Sequence, residues 1–564
     1  MFAVAARILL ARPRPAAPPA ARVVRWTTVG MLAAAVGFIL RFGSNLPVWD
    51  EWMLFPSALA RPFPVGWLWE FHCEHRYPLG KALWAVLLAV SGADFRSGMV
   101  AVAGLSAAAA GLLAGAAARL RGRAAVGDVL FAAVALHWGH WFNFVMGYQV
   151  AFALVLLAGA GLLRVAAAAE PGREGRTGLA AGGLLLVMLA GGGFGLAFLP
   201  PLAAWVAYLA WRTGRLPTAA LLLVAPAAGV AYAGWTVAHM PPSPAGARPL
   251  LGVPVRAAGY LLTAVGTPVC ESPAVRLAVG AVVVAGHAAA AGLLLRALVR
   301  LPAERPRAAG MLAVLVGHGG VALGIAISRT EGLADRYSTT SVIGPAVVVL
   351  ALVRYGPAVG RVGPVLGVLA AAALVLANAA GGHDRGSHYW MSNKMFRAEL
   401  RAGVPPTFLS GKYAWACCLW VHDPERVRLL RDLGCREFAG VPDDPPMRAV
   451  PAGVPVPFAA PPTRAVAALG EADAPTAVRL PPPAGPVLGL RVAVRTPDRA
   501  DGVVRVRWTG ATGRRAEVAH TGPTTGWVLA FYMPGERPTD AVLDVACPGT
   551  GAEITAVEWL VPDP

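Results

Sequence analysis

The chain has 564 residues, 56% of them hydrophobic and only 14% charged, with a mean hydropathy of +0.57. That balance is too apolar for a soluble protein of this length and places the chain among polytopic membrane proteins. The formal net charge of +18 would suit nucleic acid, but the arginines sit in short loops between apolar runs. That is the distribution membrane orientation requires, so nucleic acid is set aside as a partner.

Residues 1–25 carry Arg7, Arg12, Arg14, Arg22 and Arg25 ahead of an apolar stretch at 26–42, and no small-x-small cleavage site follows. This predicts a cytoplasmic N-terminal segment, 1–25, and an uncleaved first span. Further runs long enough to cross hydrocarbon fall near 97–118, 128–146, 148–168, 178–193, 195–211, 217–238, 274–296, 308–327, 339–353 and 363–380. The basic loops between them, Arg119–Arg123, Arg164–Arg176, Arg212–Arg215, Arg296–Arg307 and Arg354–Arg361, alternate with arginine-poor ones. All of them fall on the cytoplasmic side if Leu79–Ser91, short for a span, is an interfacial or re-entrant helix. The same parity demotes 257–269. The expected fold is an all-α polytopic domain at 26–380 with about eleven crossings. Its outer loops are 43–96, 137–147, 239–273 and 328–338.

The composition changes after Gly381. Residues 381–485 read as an extracytoplasmic helical and irregular region, with short helices at Asn393–Arg401 and Pro424–Leu433 and a Pro- and Ala-rich linker at 441–485. From 486 to 564, alternating runs beginning at Val487, Val503, Gly526, Ala541 and Ala552 predict a small β-sandwich. Cys73, Cys270, Cys417, Cys418, Cys435 and Cys547 all fall on the expected outer side, where disulfides are permitted. Their spacing fixes no pairing and matches no zinc site.

The chemistry-bearing residues concentrate in the outer loops. Directly after the first span come Val48-Trp49-Asp50-Glu51-Trp52. Carboxylates are costly beside hydrocarbon and tend to be kept there for function. Asp50 or Glu51 is suited to take a proton from an acceptor hydroxyl. Further along the same loop, Glu74 and His75 precede Arg76, whose planar fork suits a phosphate. Trp49 and Trp52 suit either stacking on a sugar or the headgroup layer. The rival account is a wet interfacial loop with solvated charges.

In the second outer loop, His137 and His140 stand at i, i+3 among Trp138, Trp141 and Asn143. A polar-aromatic belt is the preferred account over a metal site, with Trp138 and His140 as sugar or headgroup contacts. Arg336 beside Tyr337 suits a clamp on an anionic carrier; its rival is a surface pair with Asp335 or Glu331. His383, Asp384 and His388 read as a solvated junction. Gly191–Gly195 reads as a tight turn. Neither a Walker loop, a dinucleotide glycine motif nor a nucleophile elbow occurs. With no cytoplasmic domain to bind a nucleotide sugar, a lipid-linked donor is the simpler choice.

The acidic pair after an N-in helix, the long outer loop, Arg76-Tyr77-Pro78-Leu79 entering a short helix, and Gly92-Ala93-Asp94-Phe95-Arg96 before the next span resemble the GT-C membrane glycosyltransferases. These include the protein O-mannosyltransferases, lipid A aminoarabinose transferases and oligosaccharyltransferases. The resemblance is clearest over residues 20–170. The family's His-Pro-Pro stands here as Arg76-Tyr77-Pro78, a partial match. It implies sugar transfer from a polyprenyl-phosphate carrier to a glycan, lipid or protein acceptor on the outer face of a bacterial cytoplasmic membrane, with an acid of the first outer loop, preferably Asp50, as the base. It implies no metal with a monophosphate carrier and a divalent metal with a diphosphate. The alternatives are a lipid or sugar transporter or flippase, which predicts ionisable groups at mid-membrane depth, and a non-catalytic envelope scaffold.

Overall fold

The structure, a computed structural model, describes residues 19–241, 252–266, 269, 272–328, 334–357, 362–417, 424–456, 458–460, 462–463, 476–495, 501–513, 515–523, 527–548 and 552–563. Most of them are helical. In chain order the helices are α1 (Pro19–Phe42), α2 (Glu51–Leu59), α3 (Pro78–Ser91), α4 (Arg96–Arg121), α5 (Val129–Leu136), α6 (Trp141–Val145), α7 (Val150–Ala167), α8 (Glu174–Gly191) and α9 (Phe194–Arg212). They continue as α10 (Leu216–Ala238), α11 (Val253–Leu262), α12 (Pro273–Arg300), α13 (Arg305–Ser328), α14 (Ser338–Ser341), α15 (Ile343–Tyr355), α16 (Val362–Arg401), α17 (Pro406–Cys417) and α18 (Pro424–Asp432). The chain divides into two compact units: Met1–Asn45 with Ser57–Trp390, and Leu46–Pro56 with Met391–Pro564.

The first unit is a helix bundle. Among the described residues, nine helices are long and apolar enough to cross a membrane. α10, α12 and α16 leave most of their apolar surface uncovered, as helices facing lipid do. α7 lies at the centre, packed on α4, α8 and α13, while α9 packs on α8, α10 and α13. α3 and the 253–265 helix are short, as the sequence predicts.

Two of the expected spans are not among the nine. The run at 128–146 does not form one helix. α5 stops at His137, whose backbone turns extended (φ −66°, ψ 155°), and its imidazole Nδ1 accepts the Gly139 N–H at 3.0 Å. A 3₁₀ turn and α6 follow. A side chain that competes for backbone donors ends the helix where hydropathy alone would continue it. The run at 178–193 forms α8, whose first turn carries Glu174 and Arg176 and is thereby less apolar.

In the opposite sense, the run at 363–380 does not stop there: α16 continues to Arg401. His383, Asp384 and His388 are therefore helical, and the expected separate helix at Asn393–Arg401 is part of α16. The glycines taken as a break instead permit close approach. A Cβ on Gly382 would lie 2.5 Å from the Trp138 carbonyl oxygen, and one on Gly386 2.7 Å from Phe38.

Ion pairs tie the ends of neighbouring helices in the arginine-rich loops. Arg121 meets Asp128 at 3.0 Å, Arg119 meets Glu170 at 2.8 Å, and Glu304 accepts from both Arg307 and Arg354.

The second unit contains a two-sheet β-domain. One sheet has the order β1 (Met447–Pro451), β10 (Ala552–Pro562), β5 (Val487–Arg495), β8 (Trp527–Glu536), with β2 (Phe458–Ala460) also on β10. The other runs β3 (Pro462–Thr463), β9 (Pro538–Pro548), β6 (Asp501–Gly510), β7 (Arg515–Pro523), with β4 (Thr476–Leu480) also on β9. A single apolar core drawn from both sheets includes Leu490, Val492, Val506, Leu543, Val545 and Trp559, which is how two inner faces close a sandwich.

The runs expected as strands become β5, β6, β8, β9 and β10. The linker at 441–485 is corrected: it supplies β1 to β4. β1 is an exposed edge ending in Pro451, so it carries no inside-outside alternation to read.

Candidate functional site

The acidic pair lies in the second unit, at the start of α2. The two carboxylates meet different surroundings. Glu51 is completely buried (0% exposed), and its Oε2 accepts the Val48 N–H at 2.8 Å while its own N–H donates to the Val48 carbonyl at 3.0 Å. That reciprocal pair caps the helix N-terminus. Asp50 is half-buried, and its backbone carbonyl accepts the N–H groups of Met53 and Leu54. Trp49, just before it, is held at φ 49°, in the left-handed region that a bulky residue rarely occupies. Trp52 is buried against Phe55, Phe396 and Phe438, and its carbonyl accepts from Arg426 at 2.6 Å. Trp52 thus builds the core of this unit.

Glu74, His75 and Arg76 lie in the first unit. His72 and His75 exchange backbone hydrogen bonds across a tight turn in which Cys73 has φ 52°. Arg76 is only 7% exposed. Its guanidinium lies 3.6 Å from the Trp235 ring and 4.1 Å from that of Phe71, and Nη1 donates to the Trp69 carbonyl at 2.7 Å. It straps the loop to α10 through charge-assisted and cation–π contacts. Lys81, 1% exposed, does the same from α3: Nζ donates to the carbonyls of Trp67 and Glu70, each at 2.8 Å. Burial pulls its ammonium down to about 8, with Glu70 opposing the shift and Arg76 adding to it. Glu74 and His75 are half-buried. His75 and Tyr77 pack on the expected glycine turn, where a Cβ on Gly193 would lie 2.2 Å from His75 Nδ1.

A polar network in the same unit joins the loop at 137–145 to the turn Asp335-Arg336-Tyr337. His140 Nε2 lies 2.7 Å from the Val134 carbonyl and therefore donates to it, which leaves Nδ1 of the neutral ring to accept from the Ser338 hydroxyl at 2.8 Å. Asn143 Nδ2 donates to Ser338 Oγ at 2.8 Å and to the Asp335 carbonyl at 3.1 Å. Trp141 Nε1 donates to Asp335 Oδ2 at 2.9 Å, and Arg385 Nη1 reaches the same oxygen at 3.4 Å. Asp335 is thus paired with Arg385. Arg336 is half-buried, its guanidinium 5.1 Å from the ring centre of Tyr337, which is buried. Glu331 lies outside the described residues.

His137 donates through Nε2 to the Ala264 carbonyl at 3.1 Å and stacks on His140 at 4.2 Å. All four ring nitrogens of this pair are taken up by protein groups, an arrangement of packed polar side chains. Trp138 is half-buried, with Nε1 3.4 Å from the Ala34 carbonyl and its ring 5.5 Å from Phe38. Among the described residues, no three His, Cys, Asp or Glu side chains gather to hold a metal.

No protein-family model and no curated protein matches this chain.

Sequence reading missed three features. Arg385 lies fifty positions from Asp335 in what read as a loop, so nothing in the sequence paired them. The buried hydroxyl run Ser338–Ser341 interrupts an apolar stretch and was a legible signal. His287 and His318 stand within α12 and α13, their rings 5.8 Å apart and inclined by 17°.

Proposed function

We propose that this protein is a membrane glycosyltransferase that moves a sugar from a polyprenyl-phosphate carrier to an envelope acceptor on the outer face of the cytoplasmic membrane. The observation that carries the reading is the contrast between the adjacent acids. Glu51 is fully buried as a helix cap, whereas Asp50 is a half-buried residue beside Trp49, which is held at φ 49°. Strained backbone clusters at functional sites. Asp50 is the general base, taking the acceptor hydroxyl's proton as the sugar's anomeric carbon leaves the carrier phosphate. Arg336, on its own turn in the first unit, is a candidate cation for a lipid-borne phosphate. Arg76, enclosed by two aromatic rings and a carbonyl, holds the loop in shape. The resemblance set out above and the long apolar helices support the same reading.

Asp50→Asn removes the base while keeping size and polarity. Transfer from a radiolabelled polyprenyl-phosphate sugar into membranes should fall by about a hundredfold or more, the usual contribution of general-base catalysis. Undiminished transfer would sink the assignment. The transporter reading, which the two histidines inside α12 and α13 favour, would then take its place.

A further inference from the structure

Arg119 and Arg164 stand in the last turns of α4 and α7, two apolar helices that pack against each other. The Arg164 side chain runs along α4: its Nε lies 3.6 Å from where a Cβ on Gly115 would be. Arg119 is one turn on from Gly115, so it stands on the same face of α4. Arg119 is exposed, and its Nη2 donates to one oxygen of Glu170 at 2.8 Å, while Arg173 takes the other oxygen at 3.3 Å. One acid thus serves two arginines. Arg164 is half-buried, and the charge that acts on it is the like charge of Arg119. Among the described residues, no acid pairs with Arg164 and no carbonyl or hydroxyl accepts from it. The C-terminal ends of the two helices favour cations here but give Arg164 no hydrogen bond.

We infer that Arg164 and Arg119 form a binding site for the phosphodiester of an anionic phospholipid. α4 and α7 are both among the helices long and apolar enough to cross a membrane. An arginine in the last turn of such a helix lies at the depth of the headgroups. Two neighbouring guanidiniums repel, most of all where water screens them poorly. An anion placed at both removes that repulsion and accepts from the donors the protein leaves open on Arg164. Phosphate oxygens match the planar fork. A zwitterionic headgroup brings its own cation to the pair, and an anionic one does not, so charge selects the anionic lipid. The site lies apart from the residues proposed for sugar transfer, and the inference stands without that reading.

The experiment measures binding of phosphatidylglycerol, and of phosphatidylcholine with the same acyl chains, to the full-length protein in detergent, with inorganic phosphate as competitor. Wild type should prefer phosphatidylglycerol, and inorganic phosphate should not displace it. Arg164→Gln should weaken phosphatidylglycerol binding by about fivefold, the contribution of one basic residue at an anionic membrane surface, and leave phosphatidylcholine binding unchanged. Arg164→Lys, which keeps the charge without the fork, should fall between. Arg119→Gln, at the exposed side of the site, should show a loss of the same size, and it carries the test if Arg164→Gln does not fold. Arg215→Gln, on an exposed arginine of another basic loop, should bind as wild type does. Equal binding of the two lipids by wild type overturns the inference. So does full preference retained in the Arg164 and Arg119 variants, or an equal loss in Arg215→Gln, which would show diffuse surface charge. Displacement of the lipid by inorganic phosphate overturns the assignment to a lipid in favour of free phosphate.

Discussion

Glu51 has no exposed surface, and its carboxylate is committed to the Val48 N–H. Replacing it by Gln removes a charge-assisted bond to a buried donor, worth about 1–3 kcal/mol. Glu51→Gln should therefore lower the melting temperature in detergent while leaving residual transfer well above that of Asp50→Asn. The reverse pattern would exchange the two roles. Lys81 gives a second test at this scale, because it is one of only three lysines in the chain. Its ammonium is held down to about 8 in the fold against an ordinary lysine value near 10.4. Between those values the unfolded chain binds more protons than the folded one, so this group makes stability rise with pH across that window. An NMR titration of lysine-labelled protein should show one signal with a midpoint near 8, and Lys81→Met should remove it. Both residues were visible in the sequence as loop charges. Their burial was not, because it comes from partners supplied by the folded loop, the Trp67 and Glu70 carbonyls for Lys81.

At the scale of elements, hydropathy located most of the helices and backbone chemistry altered their limits. α5 ends where the His137 ring captures a backbone N–H, and α16 runs on past Gly382 because that glycine admits Trp138. Neither contact is written in a window of apolar residues. β5, β6, β8, β9 and β10 were legible because one face of each strand is buried. β1, exposed along its length, had no such pattern. The latch at Glu304 joins elements far apart in sequence: it accepts from Arg307 at the start of α13, and from Arg354 and Tyr355 at the end of α15. Removing one partner of a half-buried, multiply bonded carboxylate costs more than removing an exposed pair. Glu304→Gln should thus destabilise by about 1–3 kcal/mol, read as a lower melting temperature. Glu170→Gln, whose pairs with Arg119 and Arg173 are both more exposed than those of Glu304, should shift it by less.

At the scale of the whole molecule, the arginine-rich loops and the first span place the loop at 43–96 on the outer face in the proposed orientation. Cys73 is exposed within that loop. A membrane-impermeant maleimide added to intact spheroplasts should label it, while a cysteine introduced at Arg123 should react only after lysis. Labelling in the opposite pattern would invert the topology and with it the outer-face assignment of Asp50.

Composition and periodicity by themselves determined that this is a polytopic helical membrane protein with a C-terminal β-region, because burial in lipid or in a sandwich core imposes long apolar runs and strict alternation on any sequence that achieves it. They also located the loops between the apolar helices, since charge is excluded from hydrocarbon wherever a span forms. Only the tertiary structure decided which charges in those loops are already spent. Glu51, Arg76 and Lys81 each find partners in the fold, and Asp335 finds Arg385 fifty residues away. A sequence shows that a charged group exists; only the packed chain shows whether another group has already satisfied it.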